Sequence, residues 1–169
     1  MVSKRFLTTA LTGFAAASLL AACGDSASEE EVVEVTSEET GEPDAISQRQ
    51  ALLEEMGDAF TVIREQLEGD GDIEAMTAAA ATINANAAQF IDYFPEGTSM
   101  SSGADTEALD TIWEDPEGFA AAHQRLLDES QKMVNAVATG DLGQIGQQVM
   151  PLGMSCGNCH DTFRYDDEA

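Results

Sequence analysis

Four stretches of this chain repeat their apolar residues at steps of 3 and 4, a spacing that admits little except packed α-helices. The first stripe runs Ile46, Arg49, Leu53, Met56, Phe60, Ile63, Leu67; the second runs Ile73, Met76, Ala80, Ile83, Ala87, Phe90, Phe94. The third carries Phe119, Ala122, Leu126, Met133 and Val137, and the fourth Leu142, Ile145, Val149, Leu152, Cys156, Cys159 and Phe163. Each set falls on one side of a helix and forms a seam. No stretch alternates with period two, so no sheet is expected. Asp44 is a start signal, and Gly69-Asp70-Gly71 a stop. Pro95-Glu96-Gly97 stops the second helix. Asp115-Pro116 opens the third, with Pro in the first turn, where its missing N–H costs nothing. Thr139-Gly140-Asp141 ends the third and caps the fourth. Residues 95–114, rich in Ser, Gly and Thr, read as a long loop with an apolar return at Leu109, Ile112 and Trp113. The expected fold is all-α, an antiparallel four-helix bundle over residues 44–166. Pro151 lies inside the fourth helix, where it removes a hydrogen bond and crowds Gln147, so a kink is expected there.

The text before residue 44 has a different character. Lys4 and Arg5 precede an apolar run of small residues from Leu7 to Ala22, the outline of an export signal over residues 1–22. The run ends Leu20-Ala21-Ala22-Cys23, which resembles the lipobox of bacterial lipoproteins, with Cys23 as the lipidated first mature residue. The plainer alternative is a soluble secreted protein cut near Ala22. Gly24 follows, not the Asp that favours inner-membrane retention in enteric bacteria, so an outer-membrane anchor in the periplasm is expected. Residues 23–43 contain eight acids and no base, and read as a disordered tether.

Removing residues 1–22 leaves five Lys and Arg against 32 Asp and Glu, a formal charge of −27. Nucleic acid is excluded as a partner, because binding it requires a basic surface that displaces counterions. The membrane is reached through the lipid anchor only. A basic redox partner is compatible with this field, whereas self-association works against it.

The chemistry lies at residues 156–160, Cys-Gly-Asn-Cys-His. A C-x-x-C-H run reads as c-type haem attachment: two thiols form thioethers and the adjacent His offers a nitrogen to the iron. On a helix, Cys156, Cys159 and His160 share one face, which is also the core seam, so the macrocycle is expected inside the bundle. A thioredoxin-like pair would need a βαβ setting. A zinc site would need a second ligand pair, but only His123 is left over. Nine residues follow His160 and none is Met, so the downstream Met ligand of small electron-transfer cytochromes has no counterpart.

A four-helix bundle with this motif on its last helix resembles cytochrome c′, the class II c-type cytochromes, over residues 44–165. Besides Cys156–His160, the resemblance includes Ile46, Arg49-Gln50 and Gly57, then Ile112-Trp113 and Phe119, and finally Phe163-Arg164. It departs at Gly157, where the family often has Lys, and at Pro151. The resemblance implies one haem c, covalent through Cys156 and Cys159, with His160 as the metal ligand. It also implies Arg49, Gln50, Leu53, Phe163 and Arg164 as cofactor-binding residues. Arg49 independently breaks the apolar seam, so it needs an anion or must snorkel out at the bundle end; the family's Arg meets the haem propionates. Leu53 would overhang the vacant iron face, leaving it five-coordinate, a role compatible with ordinary packing. Met56 could ligate only if helix one shifted by nearly a turn. Arg164 would lie beside the proximal imidazole, or alternatively pair with Asp161 or Asp167. His123 reads as structural or solvated, Trp113 and Phe119 as helix-end packing. Gly57 would admit a neighbouring helix or subunit, and family dimers form through the first two helices.

The implied function is a non-enzymatic haem protein that binds NO or CO and carries single electrons. The alternative is a plain low-spin electron carrier docking on a basic partner. A peroxidase would need a distal His or Arg to assist O–O cleavage, and none is evident.

Overall fold

The computed structural model describes residues 44–166. The expected export signal, Cys23 and the tether lie outside the described residues, as does Asp167. Four long helices, α1 (Ala45–Glu68), α2 (Ile73–Gln89), α4 (Pro116–Val137) and α5 (Leu142–Phe163), form the bundle; α3 (Thr111–Glu114) is a single turn in the α2–α4 connection. No strand occurs among the described residues. Each long helix starts on an Asp whose carboxylate accepts free backbone N–H groups of the first turn. Asp44 accepts from Ser47, Asp72 from Glu74 and Ala75, Asp115 from Gly118, and Asp141 from Gly143 and Gln144. Gly71 lets the chain reverse after α1. Its φ of +70° suits glycine, and a Cβ there would lie 3.0 Å from Leu142 Cδ1.

α1 packs on α2, α2 on α4 and α4 on α5, while α1 and α5 touch sparingly. The seams supply the core: Met56 and Ile63 from α1, Met76, Ala80 and Ile83 from α2, Leu126 and Met133 from α4, Ile145 and Leu152 from α5. Leu142 was expected in the seam and is exposed instead, because it sits at the first turn of α5 beyond the core.

Two expectations need correction. The second helix was expected to reach Phe94, but α2 stops at Gln89 and tightens into a 3₁₀ turn over Phe90–Tyr93. Phe90 stays buried, and Phe94 packs edge-on against it. The Phe94 carbonyl, free of a helical partner, accepts from Trp113 Nε1 at 3.1 Å. The loop over 95–114 is also more ordered than expected, with a 3₁₀ turn at Met100–Ser102 as well as α3. Pro151 does not interrupt α5; it is exposed, so the freed Gln147 carbonyl lies on the solvent side.

Candidate functional site

Where α1 and α5 part, the bundle holds a cavity of about 740 Å³, within the range of cofactor sites. Residues Gln50, Leu53, Met56 and Phe60 of α1 form one wall, and Leu152, Cys156, Cys159, His160 and Phe163 of α5 the other. Phe90, Phe119 and Leu126 close the back. The aromatic residues form an edge-on chain: Phe90 to Phe94 at 5.8 Å, Phe94 to Phe119 at 5.0 Å, Phe119 to Phe163 at 5.2 Å. Its fixed ring geometry gives the cavity a stiff apolar floor. Gly153 brings α5 close to α1: a Cβ there would stand 3.2 Å from Phe60 Cζ.

All eight residues expected to hold the cofactor line this one cavity. Cys156 and Cys159 are half-buried. Burial pushes both thiols up, Cys159 to about 11, with the neighbouring Cys156 adding to the rise there. A disulfide-exchange pair needs a thiol pushed the other way. His160 stands at the rim. Desolvation lowers its pKa, the positive charge of Arg164 adds to this, and Asp161 and Glu107 oppose it. The neutral imidazole so favoured is the form that binds a metal.

Arg49 does not snorkel: it is 2% exposed and lines the cavity. Its guanidinium is held by acceptors of the protein. Nη1 donates to Thr98 Oγ1 at 2.8 Å and to the Tyr93 carbonyl at 3.3 Å; Nη2 donates to the Thr98 carbonyl at 2.6 Å and to Thr106 Oγ1 at 2.8 Å. Its guanidinium also lies over the Phe94 ring, 4.7 Å from the centroid. Burial lowers its pKa, partly offset by Asp44. One residue of α1 thus clasps the loop over 93–106 to the cavity mouth, and Gln50 reinforces it by donating to the Asp105 carbonyl.

Arg164 pairs with Glu107 at 2.6 Å, not with Asp161. The segment around Glu107 is zipped to the end of α5. Leu109 N–H donates to the Phe163 carbonyl, Tyr165 N–H to the Glu107 carbonyl, and Thr111 Oγ1 to the Thr162 carbonyl. His123 is structural: its Nε2 lies 2.8 Å from the Ala87 carbonyl and its ring is edge-on to Phe90. Gly57 has nothing within 4 Å of an added Cβ, so no helix of the described chain uses its smallness. Thr98, Thr106 and Glu107 were not foreseen. They lie in a loop without periodicity, and nothing in their spacing marks them as partners of Arg49 and Arg164.

This donor set fits a flat, largely apolar macrocycle. Two thiols and an imidazole emerge one turn apart on α5 and face the cavity between apolar walls. Among the described residues, no group of three or more His, Cys, Asp and Glu is placed to hold a metal ion by itself.

Residues 44–164 match the family model described as Cytochrome C′. Cytochrome c-554 of Cereibacter sphaeroides is 31% identical over 117 residues, spanning 69% of this chain and 74% of that protein. Cytochrome c′ from Rubrivivax gelatinosus superposes with a TM-score of 0.66 at 28% identity, covering 72% of this chain and 94% of that one. A nitric oxide complex of a cytochrome c prime variant from Alcaligenes xylosoxidans superposes at 0.65 with 25% identity, over 72% and 94% of the two chains. The chain therefore belongs to the cytochrome c′ family, and it is a haem c protein whose one covalent haem is carried on Cys156 and Cys159.

Proposed function

We propose that this chain is an envelope haem protein that binds NO or CO at the iron and passes single electrons, without being an enzyme. When bound, haem c would supply a redox-active iron able to take a small ligand. His160 provides the imidazole on one side. Leu53 provides the opposing wall, and it carries the reading: it is an apolar residue of α1 that lines the same cavity as His160. An apolar side chain free to move aside admits a small neutral diatomic and holds water poorly. Of the cavity residues of α1 between Gln50 and Phe60, Leu53, Met56 and Gly57 carry no side-chain N–H or O–H, so bound dioxygen gains no hydrogen bond from them. His123 and Arg49 are engaged elsewhere, on the Ala87 carbonyl and on the 93–106 loop. The nitric oxide complex of the Alcaligenes relative supports the choice of ligand.

Leu53→Ala tests this. Moving a partly buried Leu aside costs up to about 2 kcal/mol, so its removal is expected to speed CO association by roughly 30-fold. Unchanged CO kinetics by flash photolysis would remove Leu53 from the ligand path. A second reading, the plain electron carrier, is favoured by Met56, whose thioether side chain lines the same wall one turn beyond Leu53. A ferrous spectrum that is low-spin and indifferent to NO would select it.

The amino-terminal quarter belongs to the same proposal. Residues 1–22 direct export, Cys23 takes lipid, and residues 23–43 tether the bundle at the outer membrane. No helix among the described residues is long and apolar enough to cross a membrane. Cys23→Ser is expected to move the protein from the membrane pellet to the soluble periplasmic fraction. Retention in the pellet would rule out Cys23 as the anchor.

A further inference from the structure

The outer face of α5 is unlike the rest of this surface. From Leu142 to His160 the helix contains no Asp, Glu, Lys or Arg, in a chain of formal charge −25. Helical spacing puts Gly143, Gly146, Met150, Met154 and Gly157 on the side opposite Leu152, Cys156 and Cys159. Met150 is 72% exposed and Met154 57%. Gly146 and Gly157 have open space where a side chain would stand. Asp141 and Asp161 close the two ends, about 30 Å apart at 1.5 Å per residue.

We propose that this face is where a redox partner docks, a protein with an apolar patch bordered by Lys and Arg. The proposal rests on the electron-carrying reading above and gives it a location. Charge selects the occupant. The acidic field draws in a basic protein, but contact itself needs a patch that can be desolvated without stripping water from carboxylates. The outer face of α5 supplies that patch, with adaptable thioether side chains at its centre. A second copy of this chain would bring the same acidic field against itself. Position argues the same way. The haem-bearing cysteines are on the inner face of this helix, so a partner on the outer face lies about one helix diameter, 10–12 Å, from them. The transfer moves one electron from the ferrous protein to an oxidised partner, and no bond forms or breaks.

Stopped-flow mixing of the ferrous holoprotein with ferric mitochondrial cytochrome c, a lysine-rimmed probe, tests this at low ionic strength. Met150→Glu and Met154→Glu are expected to slow the transfer about tenfold, although each makes the chain more acidic. Gln131→Glu, at an exposed position of α4, adds the same charge and is expected to leave the rate unchanged or raise it. Met154→Leu is expected to keep it. If the Met→Glu variants behave like Gln131→Glu, the face is not the docking site. The same holds if the wild type reduces hexaammineruthenium(III) but not cytochrome c. A protein that reduces neither overturns the electron-carrying reading and this proposal together. A dimer seen by sedimentation and dissolved by Met154→Glu would assign the face to a second copy and overturn the partner.

Discussion

A chain carrying Cys156→Ser and Cys159→Ser is expected to lose all haem staining on a denaturing gel and all pyridine haemochrome signal from the denatured band. The wild type should keep both, because thioether bonds survive unfolding and coordination to His160 does not. Each single variant should retain one bond and a shifted haemochrome band. The double variant should also unfold more easily. Helices α1 and α5 meet mainly across the cavity, and without a bound group its apolar walls lose their contacts. Full haem stain on the denatured double variant would show attachment through some other atom and would undo the assignment.

Arg49→Leu is expected to cost about 3 kcal/mol, the range for removing a buried charged hydrogen-bonding group. For a domain of this size that corresponds to a drop in Tm of about 10 °C. Four contacts to the loop disappear together, and the Thr98 and Thr106 oxygens and the Tyr93 carbonyl lose their donor. Arg49→Lys should lose nearly as much, since a single ammonium cannot span four acceptors that the guanidinium fork reaches at once. A Tm change under about 2 °C in calorimetry of the Arg49→Leu holoprotein would show that the clasp contributes little. A change in haem retention at unchanged Tm would assign Arg49 to the cofactor rather than to the loop.

Arg49 also marks the limit of what could be read before the fold was known. As a basic residue in an apolar seam it was visible at once as a residue needing partners. The partners themselves, Thr98 and Thr106, lie about fifty residues away in a Ser, Gly and Thr-rich loop, and only chain reversal brings them in. Leu53 shows a related limit. Its spacing placed it with Met56 and Ile63, yet those two are sealed and Leu53 is open to the cavity. Periodicity reports which side of a helix faces inward, not how densely the neighbouring helices fill the space there. The end of α2 was missed for a similar reason: Phe90 and Phe94 keep helical spacing, while the Trp113 contact favours a tighter turn.

Helix identity, the four Asp caps and the thiol–thiol–imidazole face of α5 were set by local chemistry: side-chain period, free backbone N–H groups, and residues four apart or fewer. These interactions act within a turn or two of the chain, so the order of residues alone determines them. The cavity between α1 and α5, the Arg49 clasp and the Glu107–Arg164 pair were decided only by tertiary packing. They join segments that are distant in sequence, and the energy that selects them exists only once the helices have met.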